Sequence, residues 1–169
     1  MNTARLAELI KEMRIAMLST IEPDGHVRSR PMATVQRPGF DGTLWFFADQ
    51  SSAKIVEVQE DPRVNLSYCE PSKSHYVSIS GTCELVRDKE KAKQFWDPFF
   101  CPWFPEGLDD PDLALLKVTV EAAEYWDAPS GAMLKVADFV KSMTRGAQGD
   151  HCEGVAQNGA HEKMKIKSA

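Results

Sequence analysis

Six short stretches of strand-like sequence, joined largely in hairpin fashion, constrain this chain most, because such strands close into a small barrel or leave exposed sheet edges. Ala16 to Ile21 reads as the first strand, Glu22-Pro23-Asp24-Gly25 as a tight turn and His26 to Val35 as the returning strand. Pro31 interrupts that return. It has no N–H for a ladder, which predicts an edge, a bulge or a place where backbone groups face a ligand. Thr43 to Ala48 is aromatic-rich and is predicted to cross the core, and Val64 to Cys69 pairs with Tyr76 to Val86 across a Pro-Ser-Lys-Ser loop. Leu115 to Tyr125 completes the set, with Leu116, Val118 and Val120 on one face and Lys117, Thr119 and Glu121 on the other. The pattern predicts a mainly β fold with peripheral helices, a closed or split six-stranded antiparallel barrel.

Helical periodicity flanks these strands. Leu6, Leu9, Ile10 and Met13 mark an opening helix from Thr3 to Arg14. Ser51 or Ser52 is placed to cap a second helix through Ile55, Val58 and Gln59, which stops near Asp61-Pro62. Lys89 to Trp96 is helical by pattern, and three prolines then break the segment Pro98-Phe99-Phe100-Cys101-Pro102-Trp103-Phe104-Pro105, an aromatic loop with something to cover. Ala132 to Thr144 reads as an amphipathic helix. At 169 residues the chain fits one domain, residues 1–145 including that last helix, with 146–169 a mobile tail rich in Gly, His, Asn and Lys.

Charge and cysteine usage exclude several function classes. A net charge of −5 offers no general attraction to nucleic acid. No apolar run reaches the ~20 residues of a membrane helix, and no signal-peptide pattern opens the chain, so a cytoplasmic location with no membrane partner is expected. Cys69, Cys83, Cys101 and Cys152 lack CxxC spacing, which argues for reduced thiols and against a zinc ribbon. There is no Gly-x-Ser-x-Gly elbow and no His-Glu-x-x-His helix, and the tail residues His151, Cys152 and His161 lack an ordered surrounding shell, so no metal site is expected.

One constellation points to chemistry. Arg28-Ser29-Arg30-Pro31-Met32 on a strand, with Ser51-Ser52-Ala53-Lys54 at a helix start, brings two guanidinium forks, the Ser52 hydroxyl, the Lys54 ammonium and unpaired N–H groups into one anion site suited to a phosphate monoester. The competing reading makes Arg28 and Arg30, two apart on one strand face, solvated surface charges. Trp45, Phe47, Tyr76 and Trp126 are candidates to stack on a flat heterocycle; for Trp45 and Phe47, mid-strand, core packing is the stronger reading. Trp126 lies where the chain leaves the last strand and can reach across an interface.

These motifs, in order along the chain, resemble the FMN-binding core of pyridoxamine phosphate oxidase: Arg30-Pro31-Met32, Phe46-Phe47-Ala48-Asp49-x-x-Ser52-Ala53-Lys54, Asp61-Pro62-Arg63-Val64 and Ser80-Gly81. Trp103-Phe104-Pro105-Glu106-Gly107-Leu108-Asp109-Asp110-Pro111 followed by Ala123-Glu124-Tyr125-Trp126-Asp127 is similar to the bacterial general stress proteins of that superfamily. The resemblance implies an FMN-binding split barrel, a homodimer with two flavin sites across a two-fold axis, and FMN as cofactor with FAD as the alternative. It places Arg30 and Lys54 at the FMN phosphate with Arg28 and Ser52 close by. The backbone of Arg30, Pro31 and Met32 would border the isoalloxazine, Phe47 and Ala48 would follow the ribityl chain, and Trp126 and Tyr76 would come from the partner subunit.

The chain departs from the true oxidase at two places. Val35 stands near the position of a lysine that ends the oxidase strand motif, and no C-terminal Arg-x-His-Asp-Arg-like segment is present to grip the pyridoxal phosphate substrate. The features that hold the cofactor are kept without those that choose vitamin B6. The leading expectation is therefore an FMN-dependent oxidoreductase using NAD(P)H or another electron donor, with no catalytic side chain identified. A flavin-binding stress protein that stores or senses FMN without turnover is the alternative. A deazaflavin or haem in the same barrel, and an empty vestigial pocket, complete the set.

Overall fold

The computed structural model describes residues 3–35 and 40–127, with 160–165 as backbone. Helix α1 (Thr3–Met13) lays Leu6, Leu9, Ile10 and Met13 into the core. Arg14, at φ 45°, turns the chain directly into β1 (Ile15–Ile21). The hairpin to β2 (Val27–Ala33) closes through Glu22 and Gly25, whose N–H donates to the Glu22 carbonyl at 2.8 Å. Gly25 adopts φ 87°, a conformation that costs a side-chain-bearing residue energy, which is why the turn ends in glycine.

The remaining elements follow as β3 (Thr43–Asp49), α2 (Ala53–Glu60), β4 (Arg63–Glu70), β5 (His75–Val86), α3 (Lys89–Phe95) and β6 (Leu113–Asp127). Each lies within two residues of its sequence-derived bounds. Ser52 holds the N-cap position of α2, but its hydroxyl donates to the Asp49 carbonyl at 2.5 Å and makes no cap bond to the helix, contrary to the expected capping role. The helix expected at 132–144 and the loop residues 36–39 lie outside the described residues. Within the expected tail, Ala160–Lys165 forms β7, antiparallel to β6 from Ala122 to Asp127.

The six strands β1–β6 are antiparallel and run in the order β2-β1-β4-β5-β6-β3, curling until the two end strands meet. They touch through one bridge, Thr34 to Phe46, and the bond from Val35 N–H to the Trp45 carbonyl at 2.8 Å. Beyond that bridge β2 and β3 part. This is a split β-barrel, with the split lying where Arg30 to Met32 leave the company of Ala48 and Asp49. The buried Thr34 hydroxyl and Tyr68 phenol, 2.8 Å apart, satisfy each other beside the seam.

Two cores explain the sequence of β3. Leu44, Phe46 and Ala48 face the barrel interior, whereas Trp45 and Phe47 face a second cluster with Ala92, Phe100, Phe104 and Leu115. A strand buried on both faces reads as an unbroken apolar run, as Leu44-Trp45-Phe46-Phe47-Ala48 does.

A bulge between β5 and β6 governs the far end. Gly81 pairs with Val120 and Ser80 with Ala122, so Glu121 is skipped and the inward-facing phase of β6 changes from even to odd residues. Tyr125 is consequently buried, and Trp126 is turned outward. Glycine is required at position 81 because a Cβ there would lie 2.0 Å from the Thr119 carbonyl oxygen. No helix among the described residues is long and apolar enough to cross a membrane.

Candidate functional site

The parting of β2 from β3 opens a cleft of about 250 Å³. One wall is the end of β2, Arg30 to Ala33, with Ile15 of β1 beside it. Phe47, Ala48 and Asp49 at the end of β3 form the other, and Lys54 comes from the first turn of α2. Phe100, Trp103 and Phe104 of the aromatic loop complete the lining. Pro31 thus stands on an end strand at the cleft, where a missing N–H leaves no ladder partner unsatisfied.

Behind the Arg30 lining of the cleft lies a buried network. Glu57 of α2 is 2% exposed, and its Oε2 lies 2.5 Å from Nη2 of Arg30 and accepts from the Thr20 hydroxyl, also at 2.5 Å. Arg30 Nη1 donates to the same Thr20 hydroxyl. Burial alone pushes the Glu57 pKa up; the hydrogen bonds from Thr20 and Arg30, with the charges of Arg30 and Arg28, outweigh it and hold the carboxyl below its ordinary range. Glu57 is therefore ionised at neutral pH, and it fixes Arg30 from the side away from solvent.

Lys54 donates to Ser52 Oγ at 2.7 Å. Burial and the neighbouring Arg30 charge lower its pKa, against the pull of Asp49, Asp112 and Glu57. Two partly buried cations thus share one end of the cleft. An arrangement of this kind favours an anion, because a ligand charge relieves their mutual repulsion.

Of the residues singled out in the sequence, Arg30, Pro31, Met32, Phe47, Ala48 and Lys54 line this cleft. Ser52 stands behind Lys54 as its hydrogen-bond partner. Arg28 is more exposed and lies 3.5 Å from Glu22 and 3.9 Å from Glu57. Tyr76 and Trp126 are elsewhere: they are cross-strand partners on the outer face of β5 and β6, 39% and 38% exposed.

Sequence reasoning missed Glu57 entirely, since a Glu between Val56 and Val58 in a short helix looks like an ordinary solvated position. It also missed Ile15 and Ala33, and it carried Asp49 as a member of the Phe46–Lys54 motif without a site role. The prolines and aromatics of the 98–105 loop mark it as a covering segment, but only the structure separates its buried members, Phe100 and Phe104, from Trp103, which is 58% exposed and lines the cleft. Arg14 stacks on Phe99 at 3.6 Å from the ring centroid and pins that loop to the start of β1.

A family model described as pyridoxamine 5'-phosphate oxidase like matches residues 2–150. The chain belongs to the pyridoxamine 5'-phosphate oxidase-like family. Among curated proteins, this family member is similar to Protein bli-3 of Neurospora crassa, 23% identical over 150 residues that cover 83% of this chain and 72% of that protein. Among solved structures it resembles the general stress FMN/FAD binding protein of Xanthomonas citri, at 28% identity and TM-score 0.64 over 74% of this chain and 87% of the other. A Clostridium acetobutylicum protein related to general stress protein 26 of B. subtilis shares the fold, with TM-score 0.66 and 22% identity over 74% of this chain and 87% of that one. The split barrel is thus that of the oxidase-like general stress proteins.

Proposed function

We propose that this chain binds FMN in the cleft between β2 and β3 and acts as a flavin-dependent oxidoreductase, as a homodimer with two equivalent sites. The observation that carries the reading is the meeting of Arg30 and Lys54 with the Pro31–Ala33 backbone and the Phe47–Ala48 strand end in one cleft. A phosphate monoester suits the two cations, and a flat ring system suits the backbone edge and the apolar walls. The Xanthomonas relative, described as FMN/FAD binding, supports a flavin. When bound, FMN supplies hydride and electron transfer, while the protein supplies position and electrostatics.

Ile15 joins the cleft to an outer sheet face that is suited to a second copy. Ile15 and Met17 of β1, Ser67 and Cys69 of β4, Tyr76 and Ser78 of β5 and Trp126 of β6 share one outer sheet face by register. Its large apolar members are between 38% and 43% exposed, which is unusual crowding of apolar surface on one sheet face. Pairing of two such faces would bring Tyr76 and Trp126 of one subunit toward the cleft of the other.

Titration of the apo-protein with FMN, riboflavin and FAD, followed by anaerobic NADPH or NADH, tests the reading. Tight FMN binding with bleaching of the flavin absorbance is the expected result, and absence of binding would overturn it. A second reading, flavin storage or sensing, draws on the ionisable groups lining the cleft: Arg30 and Lys54 are held in fixed polar contacts, leaving Asp49 as the one carboxylate at the lining. Tight binding without bleaching by either donor would favour it.

A further inference from the structure

Resting on the FMN reading of the cleft, we infer that Glu57 is a positioning residue for the phosphate end, acting through Arg30. Among the described residues Glu57 is the one carboxylate buried to this degree, and it does not line the cleft. Burying an ion pair costs desolvation, and apolar residues of similar size commonly serve stability as well or better. The presence of Glu57 between Ile55 and Val58, which enter the barrel core, is therefore poorly explained by packing alone.

Its contacts explain it better. Arg30 carries its charge at the end of a long flexible side chain, and an unrestrained guanidinium would pay ordering entropy on binding a ligand. Glu57 at 2.5 Å and the Thr20 hydroxyl each take one terminal nitrogen, so the plane of the fork is set before any ligand arrives. Thr20 is itself fixed by Glu57, which makes the three groups one closed triangle. Lys54, one helical turn before Glu57, then meets an Arg30 of defined position. Preorganisation of this kind raises affinity by removing the ordering cost.

The test compares FMN with riboflavin, which lacks the phosphate. Glu57→Ala is expected to weaken FMN binding about tenfold, equivalent to ~1.4 kcal/mol, while riboflavin affinity stays within about twofold. In an Arg30→Ala background the same Glu57 change should have no further effect on FMN. Equal losses for both ligands, a tightened FMN complex, or an undiminished effect without Arg30 would each overturn the inference. Should Glu57→Ala not fold, Thr20→Val removes two sides of the triangle and leaves the Arg30–Glu57 contact: an FMN-selective loss of about threefold is expected, and an unselective loss would overturn the proposal. A parent protein that bound neither flavin would sink the FMN reading and this inference with it, whereas a parent that binds FMN with Glu57→Ala indifferent sinks the inference alone.

Discussion

Arg30 and Lys54 occupy the same end of the cleft but are held differently, and that difference sets what their removal should do. Arg30 is locked by Glu57 and Thr20, whereas Lys54 is held by a single hydrogen bond among the described residues, to the Ser52 hydroxyl. Either Arg30→Ala or Lys54→Ala is expected to weaken FMN binding by about 10- to 100-fold, the effect of a charged hydrogen bond, with little change for riboflavin. Fluorescence titration checks this, and parent-like FMN affinity in both variants would show that the phosphate lies elsewhere. Arg30→Ala should also destabilise, because it strands Glu57 in the interior. Glu57 carries a pH dependence of its own. Its folded pKa lies below the ordinary 4.5, so its contribution is fully present above that value and is lost as pH falls through the folded pKa. The urea midpoint of the parent should therefore drop more steeply below about pH 4.5 than that of Glu57→Gln, which has no proton to gain. The two cations were legible in the sequence as one candidate anion site, and the structure, which brings Arg30 and Lys54 to one cleft, favours that over the reading of Arg30 as a solvated surface charge. Glu57 was not, because its burial depends on how α2 packs over β1 and β5, a tertiary fact that its neighbours in sequence do not encode.

At the scale of elements, the bulge opposite Gly81 decides which aromatic of β6 is presented to solvent. Unbroken alternation from Leu116, Val118 and Val120 would carry Trp126 inward and Tyr125 outward; skipping Glu121 reverses both. The sequence marked Ser80-Gly81 as a motif and Trp126 as outward-reaching, but the link between them is visible only in the register. Gly81→Ala forces a Cβ against the Thr119 carbonyl and should cost at least ~3 kcal/mol in urea unfolding, since backbone on the opposing strand yields less readily than a side chain. The aromatic loop divides in the same way. Phe100 packs on Phe47 with ring centroids 4.7 Å apart and is buried, so Phe100→Ala should destabilise by ~3–5 kcal/mol. Trp103 touches Phe99, is exposed and lines the cleft, so Trp103→Ala should leave stability within ~0.5 kcal/mol while weakening flavin binding or slowing turnover. Unchanged affinity, turnover and dimer mass in Trp103→Ala would remove any covering role for the loop.

Across the whole molecule, the main core fills the barrel interior, and the outer side of the sheet carries the second core over β3 and the proposed partner surface over β1, β4, β5 and the end of β6. The strand pattern made the barrel legible, because period-2 alternation assigns each residue a face. It could not show the second core: Trp45 and Phe47 need α3 and the aromatic loop above them, and those contacts join segments about fifty residues apart. The cysteines offer a reading of the outer face that does not depend on flavin. Cys69 is exposed and pairs in register with Tyr76 on that face, Cys101 is exposed on the aromatic loop, and Cys83 is buried with its thiol pushed up to about 12 by desolvation. In a dimer formed through this face, Cys69 should alkylate slowly, Cys101 quickly and Cys83 only on unfolding, as followed by peptide mass mapping. Met17→Glu places a charge among Ile15, Ser67 and the exposed aromatics, and should both halve the mass in solution and bring Cys69 labelling up to the rate of Cys101. Rapid Cys69 labelling in a parent protein of dimer mass would mean that the two copies meet elsewhere, and Tyr76 and Trp126 would then have no route to the partner's cleft.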